Sequence, residues 1–131
     1  MTRYLLDSTV LIESEKKIEP TSSRVVALLQ KRRDLYVCAI ALAEFYTGAP
    51  RGTNPDMDVF LTKLTYVDLT PEMAATAGLM RYNALSTGRR LATPDALIAA
   101  CAHHLGAHIL TNNVRDFTVT GVATEQLGGE G

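Results

Sequence analysis

An α/β fold with a parallel sheet is the class this sequence predicts, on three observations. Short apolar runs recur along the chain, and segments with helical spacing lie between them. The runs are apolar on consecutive residues rather than alternate ones, as expected of strands covered on both faces. The chain has 131 residues, 47% of them hydrophobic, which gives one compact domain with a real core and no room for a second. A parallel sheet with helices on both faces satisfies all three.

Tyr4-Leu5-Leu6 is the first strand. Asp7-Ser8-Thr9 follows with groups able to cap a helix, which Leu11 and Ile12 open and Glu13–Lys17 leave polar. Pro20 breaks the chain. Thr21 or Ser22 then caps a second helix with Val25, Val26, Leu28 and Leu29 on one face, and Lys31-Arg32-Arg33 supply positive charge at its end. Leu35–Cys38 is the second strand, and Ile40–Thr47 a helix stopped by Gly48 and Pro50. Met57, Phe60, Leu61 and Leu64 have the spacing of another helix, followed by a third strand around Tyr66 and Val67.

Thr70-Pro71-Glu72 is a helix start: a hydroxyl cap, proline in the first turn, an acid near the positive end. That helix runs to about Ser86. Thr87–Arg90 is a basic loop. Thr93-Pro94-Asp95 repeats the same start, and the body Ala96–Leu105 is almost without polar surface until His103 and His104, so it is covered on most sides. Gly106 ends it. His108–Leu110 is the fourth strand, Thr111–Asp116 a polar loop, and Val119–Thr124 a fifth strand. Residues 1–131 form one domain, with Gln126–Gly131 expected to be a loose tail.

The formal charge of -1 argues against a generally basic nucleic-acid coat and leaves room for a local basic rim. Cys38 and Cys101 lie in apolar runs and read as buried thiols rather than a disulfide or a metal pair. The N-terminus turns polar too soon for a signal peptide. No run approaches the roughly 20 apolar residues of a membrane helix. A cytoplasmic protein is the expectation.

Four acids carry the chemistry. In a parallel α/β sheet the loops after the strand C-terminal ends share one edge. Asp7 directly follows the first strand, Glu44 sits on the helix after the second, and Asp116 lies in the loop after the fourth. Asp95 begins the helix that feeds the fourth strand, so it starts at that same edge. Taken singly, each has an ordinary role: a cap, a first-turn acid, a loop acid. Glu44 lies among Ile40, Ala41, Leu42, Phe45 and Tyr46, which predicts at least partial enclosure. Gathered carboxylates repel, and a divalent cation relieves the repulsion, with magnesium or manganese suited to oxygen donors. His103, His104 and His108 have no zinc-ligand spacing, and the chain carries no dinucleotide fingerprint and no phosphate-binding glycine loop. An acidic metal site without a covalent nucleophile points to hydrolysis of phosphodiesters by metal-activated water.

The segments YLLDST around Asp7, AIALAEFYTGA around Glu44, ATPDALIAACAHHLGAHILTNN around Asp95 and NVRDF around Asp116 occur in this order. Together they resemble the PIN-domain ribonucleases, and most closely the VapC-type toxins of bacterial toxin–antitoxin modules. The resemblance covers the chain from Tyr4 to about Val122. It implies a PIN-like five-stranded parallel sheet with helices on both sides, paired into homodimers. It implies an endoribonuclease toxin acting on structured RNA such as tRNA or rRNA, neutralised by a cognate VapB-type antitoxin. Asp7, Asp95 and Asp116 would hold Mg²⁺ or Mn²⁺, and Glu44 would place or deprotonate the attacking water. The family places its last acid at the position of Asn113 or a few residues later; here the acid is Asp116, with Asn113 able to orient water or hold a neighbouring carboxylate. Ser8 and Thr111 match pocket-lining positions, and Thr93 is a further one, with helix capping its alternative role. Arg89, Arg90 and Arg115 are the rim cations for RNA, each with an alternative role as surface charge or, for Arg115, as a partner of Asp116. A catalytically weak PIN domain serving as an RNA- or protein-binding module is the alternative function.

Overall fold

A computed structural model describes residues 2–31 and 34–128. Its order is β1 (Arg3–Leu6), α1 (Ser8–Glu15), α2 (Thr21–Lys31), β2 (Leu35–Cys38), α3 (Ala39–Gly48), α4 (Pro55–Thr62), β3 (Thr65–Val67), α5 (Pro71–Ser86), α6 (Thr93–Leu105), β4 (Ala107–Leu110) and β5 (Thr124–Glu125). The strands form one parallel sheet in the spatial order β3-β2-β1-β4-β5. Arg32 and Arg33, expected at the end of α2, lie outside the described residues, as do Met1 and 129–131.

The consecutive apolar strand residues divide between two cores, because successive side chains leave a strand on opposite faces. Leu5, Cys38 and Ile109 pack with Met73 and Ala77 of α5 and with the buried body of α6. Tyr4, Leu6, Leu35, Val37 and Leu110 pack with Val10, Val25, Phe45 and Leu61 from the first four helices. Both strand faces are therefore covered, which is why these runs carry no polar alternation. Cys38 and Cys101 are buried free thiols.

Three sequence expectations need correction. Val119–Thr124 is not a strand: Val114–Thr120 forms a 3₁₀ helix, and β5 is the two residues Thr124–Glu125. Local hydroxyl bonds override the strand propensity of this Val/Thr run. Thr118 Oγ1 donates to the Val114 carbonyl at 3.2 Å and Thr120 Oγ1 to that of Phe117 at 2.6 Å. Gly121 then reverses the chain with φ +75°.

Thr21 is not a free cap. It is fully buried, its hydroxyl donating to Glu13 Oε1 at 2.8 Å and accepting from Asn112 Nδ2 at 2.9 Å. The expected loose tail is docked as far as Gly128. The amides of Leu127 and Gly128 donate to Asn112 Oδ1 at 3.1 and 2.8 Å, and Arg24 Nη1 donates to the Leu127 carbonyl. A Cβ on Gly128 would lie 2.3 Å from Thr21 Oγ1, so this close approach requires glycine.

Candidate active site

The sheet order reverses between β1 and β4: from β1 the chain steps outward through β2 and β3, and it returns to the other side for β4 and β5. Such a reversal opens a crevice at the strand C-terminal ends. Asp7 leaves β1 there, its amide donating to the Leu110 carbonyl at 2.9 Å, and Thr111 leaves β4 beside it.

Asp7 is buried, 4% exposed, and stands at the N-cap position of α1 without using its side chain as a cap. Its Oδ2 instead accepts from Thr111 Oγ1 at 2.9 Å and from Thr9 Oγ1 at 3.1 Å. The two hydroxyls lie 3.3 Å apart. Each is held from behind by a backbone amide: Asn112 N–H donates to Thr9 Oγ1 at 3.0 Å and Asn113 N–H to Thr111 Oγ1 at 2.9 Å. Thr111, expected to line the pocket, is fully buried and holds Asp7 from behind, and Thr9 is a supporting residue that stood in the sequence only as part of a capping run. The link joins positions 102 residues apart, which local spacing cannot reveal. Ser8, the first residue of α1, is buried next to Asp7.

Asp95 lies in the first turn of α6, whose body buries Ala96, Ile98, Ala99, Ala100, Cys101 and Ala102 and ends at Gly106 with φ +66°. The helix begins at Thr93, after Ala92, which has no side-chain oxygen to cap with; Thr93 itself is exposed. A first-turn acid would ordinarily be helped to ionise by the helix field. Asp95 goes the other way. Burial, and then the negative charges of Asp116, Asp7 and Glu44, push its carboxyl up from 3.8 to about 6. This one group therefore registers all three of the other acids.

The shift has a consequence for stability. A folded-state value above the unfolded one means that the native state holds the proton more tightly between pH 3.8 and about 6. Stability from this group is fully present below that window and is lost as pH rises through it. Asp95→Asn should accordingly stabilise the metal-free protein at pH 7, by about 1 kcal/mol after discounting for partial solvent exposure. Urea unfolding in chelator at pH 7 and pH 4 tests this: the gain should shrink at pH 4, and an equal difference at both would contradict it.

Asp116 is exposed on the 3₁₀ helix, and its Oδ2 accepts from Asn113 Nδ2 at 2.5 Å, the neighbour-holding role expected of Asn113. Among the described residues Arg115 makes no ion pair with Asp116. Arg89, Arg90 and Arg115 are all exposed. Glu44 departs from expectation: it too is exposed, because the apolar residues around it in sequence, Ala41 and Phe45, occupy the buried side of α3. A cavity of about 410 Å³ is lined by Asp95 and Asp116, together with Arg81, Arg90 and Arg115; Asp7 and Glu44 lie outside its lining.

The donor set fits a divalent cation in kind, being carboxylate oxygens with no thiol or imidazole among them. His108 is engaged elsewhere, its Nδ1 lying 2.8 Å from Glu125 Oε2. The side chains stand apart, however, and among the described residues no three His, Cys, Asp or Glu groups are spaced to hold a metal ion. Repulsion among like charges favours such spacing.

Residues 4–122 match the PIN domain. The chain belongs to the PIN-domain family. Within it, similarity to VapC-type proteins runs almost the whole length. Ribonuclease VapC2 of Haemophilus influenzae is 29% identical over 126 residues, 89% of this chain and 91% of that one. The tRNA(fMet)-specific endonuclease VapC of Shigella flexneri is 28% identical over 131 residues, 95% of this chain and 98% of that one. The structure of VapBC2 from Rickettsia felis, bound to a DNA fragment from its promoter, superposes with a TM-score of 0.81 at 22% identity. It covers 97% of this chain and 100% of that one, and it shares the fold.

Proposed function

We propose that this protein is a VapC-type toxin that cleaves structured RNA, tRNA or rRNA, at the Asp7–Glu44–Asp95–Asp116 site, and that a VapB-type antitoxin neutralises it. One observation carries the reading: a half-buried acid, Asp95, sits in the combined field of the other three. Asp7, Asp95 and Asp116 would hold Mg²⁺ or Mn²⁺. When bound, the metal supplies neutralisation of phosphoryl charge and a more acidic water. Thr9 and Thr111 fix the Asp7 carboxylate from one side and leave its Oδ1 for the site. Asn113 does the same for Asp116 by binding Oδ2. Glu44, reached by solvent, orients the attacking water and takes its proton, giving 5′-phosphate and 3′-hydroxyl ends. A homodimer and a toxin–antitoxin hetero-oligomer are part of the same proposal. Among the described residues no helix is long and apolar enough to cross a membrane.

The spacing of the carboxylates favours a second reading, a catalytically weak PIN domain that binds RNA or protein. Incubating purified protein with total RNA and Mg²⁺ or Mn²⁺, then sequencing the new 5′ ends, separates the two. Discrete metal-dependent ends support cleavage, and their absence with both metals supports the binding module. Growth arrest on expression, relieved by the cognate antitoxin, tests the toxin role.

Asp116 and Asn113 divide their work in a checkable way. Asp116→Asn should shift the metal dependence of cleavage by about tenfold or more, and Asn113→Ala by only a few-fold, as expected for a group acting through a ligand. Equal small shifts in both would remove Asp116 from the metal.

A further inference from the structure

The cavity beside the acids contains a residue that nothing in the motif pattern singled out. Arg81 is on α5, half-buried, and its Nε donates to the Leu91 carbonyl at 2.9 Å. That bond fixes the guanidinium and commits one of its five N–H groups, leaving its terminal nitrogens for another partner. Arg90 and Arg115 line the same cavity from two other segments, the loop before α6 and the 3₁₀ helix. Among the described residues no carboxylate forms an ion pair with any of the three. Three guanidiniums from three chain segments, unpaired although Asp95 and Asp116 line the same space, have donors available for an external anion. Leu85, an exposed leucine of α5, adds apolar surface to the lining, while Leu91 is buried in the core behind it.

We infer that this cavity is a subsite for single-stranded RNA, in which Arg81, Arg90 and Arg115 bind a phosphate neighbouring the one at the acids while its base packs on the exposed side chain of Leu85. Guanidinium forks match phosphate oxygens, and the apolar lining suits an unstacked base. Continuity with the acids selects RNA over an acidic protein segment, because a strand with one phosphodiester at Asp95 and Asp116 carries its next phosphate into the same space. Arg81 is a positioning residue: it holds the strand and touches no reacting atom. The inference rests on the nuclease reading for its orientation, and binding tests it separately.

The test uses the full chain carrying Asp7→Asn, a 12-nucleotide fluorescein-labelled single-stranded RNA, and anisotropy over a salt series. Arg81→Gln should weaken binding about tenfold and lower the log–log salt slope by about 0.7, the loss of one single-strand phosphate contact. The double variant Arg90→Gln/Arg115→Gln, both residues exposed, should lower the slope by about twice that without risk to the fold. Arg51→Gln, away from the cavity, serves as control. In the cleaving protein Arg81→Gln should raise KM and leave kcat nearly unchanged. An unchanged salt slope in both arginine variants overturns the subsite even if the wild type cleaves RNA. Arginine-dependent binding by a protein that never cleaves supports the subsite and removes the nuclease reading instead. If the variants lose affinity for polyglutamate of equal length but not for RNA, the cavity receives an acidic protein segment and the inference fails.

Discussion

Asp7→Asn and Asp95→Asn are each expected to lower RNA cleavage by about a hundredfold or more while leaving the protein folded. The two losses have different origins. Asp7 is fixed by two hydroxyls at the end of β1, so its replacement removes a rigid oxygen donor from a preorganised place. Asp95 carries the cost of its own partial burial and then the repulsion of the other three acids, so its replacement lowers the charge that attracts a cation and, in metal-free buffer, removes that cost from the fold. The pair should therefore separate in thermal unfolding: Asp95→Asn rises at neutral pH, and Asp7→Asn does not. Single-turnover cleavage with Mg²⁺ and with Mn²⁺ is the measurement. Near-normal rates in both variants would dissolve the proposed site.

Phe117→Ala should destabilise the fold by about 3–5 kcal/mol in urea denaturation, far more than any change among the acids. Phe117 is fully buried in the core beneath α6, the sole buried residue of the 3₁₀ helix. It follows Asp116 directly, so the ring anchors the segment that carries the acid. Where the variant still folds, its metal affinity should fall as well. A loss below about 1 kcal/mol would mean that the 3₁₀ helix is held by its hydroxyl bonds and not by this ring.

The parts of this fold that sequence revealed are those where one local signal agreed with another. The helix over Ala96–Leu105 combined an apolar body, a proline start and a glycine stop, and α6 has those limits. The positions of Asp7 at the end of β1 and of Asp95 in the first turn of α6 were legible because each follows a local signal for a change of element. Glu44 shows the opposite case. Its neighbours in sequence are apolar, but on a helix they turn away from it, so composition around a residue misjudged its exposure. The run Val119–Thr124 had strand composition, and its threonines closed local turns instead. Asn112 could not be distinguished from Asn113 by type or position. Only the folded chain shows that the first ties Thr21 to the C-terminal segment and the second reaches Asp116. Arg81 was hidden for the same reason: it is a helix residue with nothing local to mark it, and the loop it meets is ten positions away.

The paired threonines behind Asp7 impose a direction on the protons around it. A backbone amide can only donate, so the amides of Asn112 and Asn113 occupy an oxygen lone pair on each hydroxyl. The hydroxyl protons point onward, and Asp7 Oδ2 is the terminus that receives them. An asparagine placed here has one orientation that keeps this polarity: its carbonyl must face the threonines. Its amide group then turns outward, replacing an acceptor with two hydrogens aimed at the crevice. Asp7→Asn is thus not a neutral blank but a reversal of sign at that one atom, and it should repel a cation while leaving every bond behind it in place.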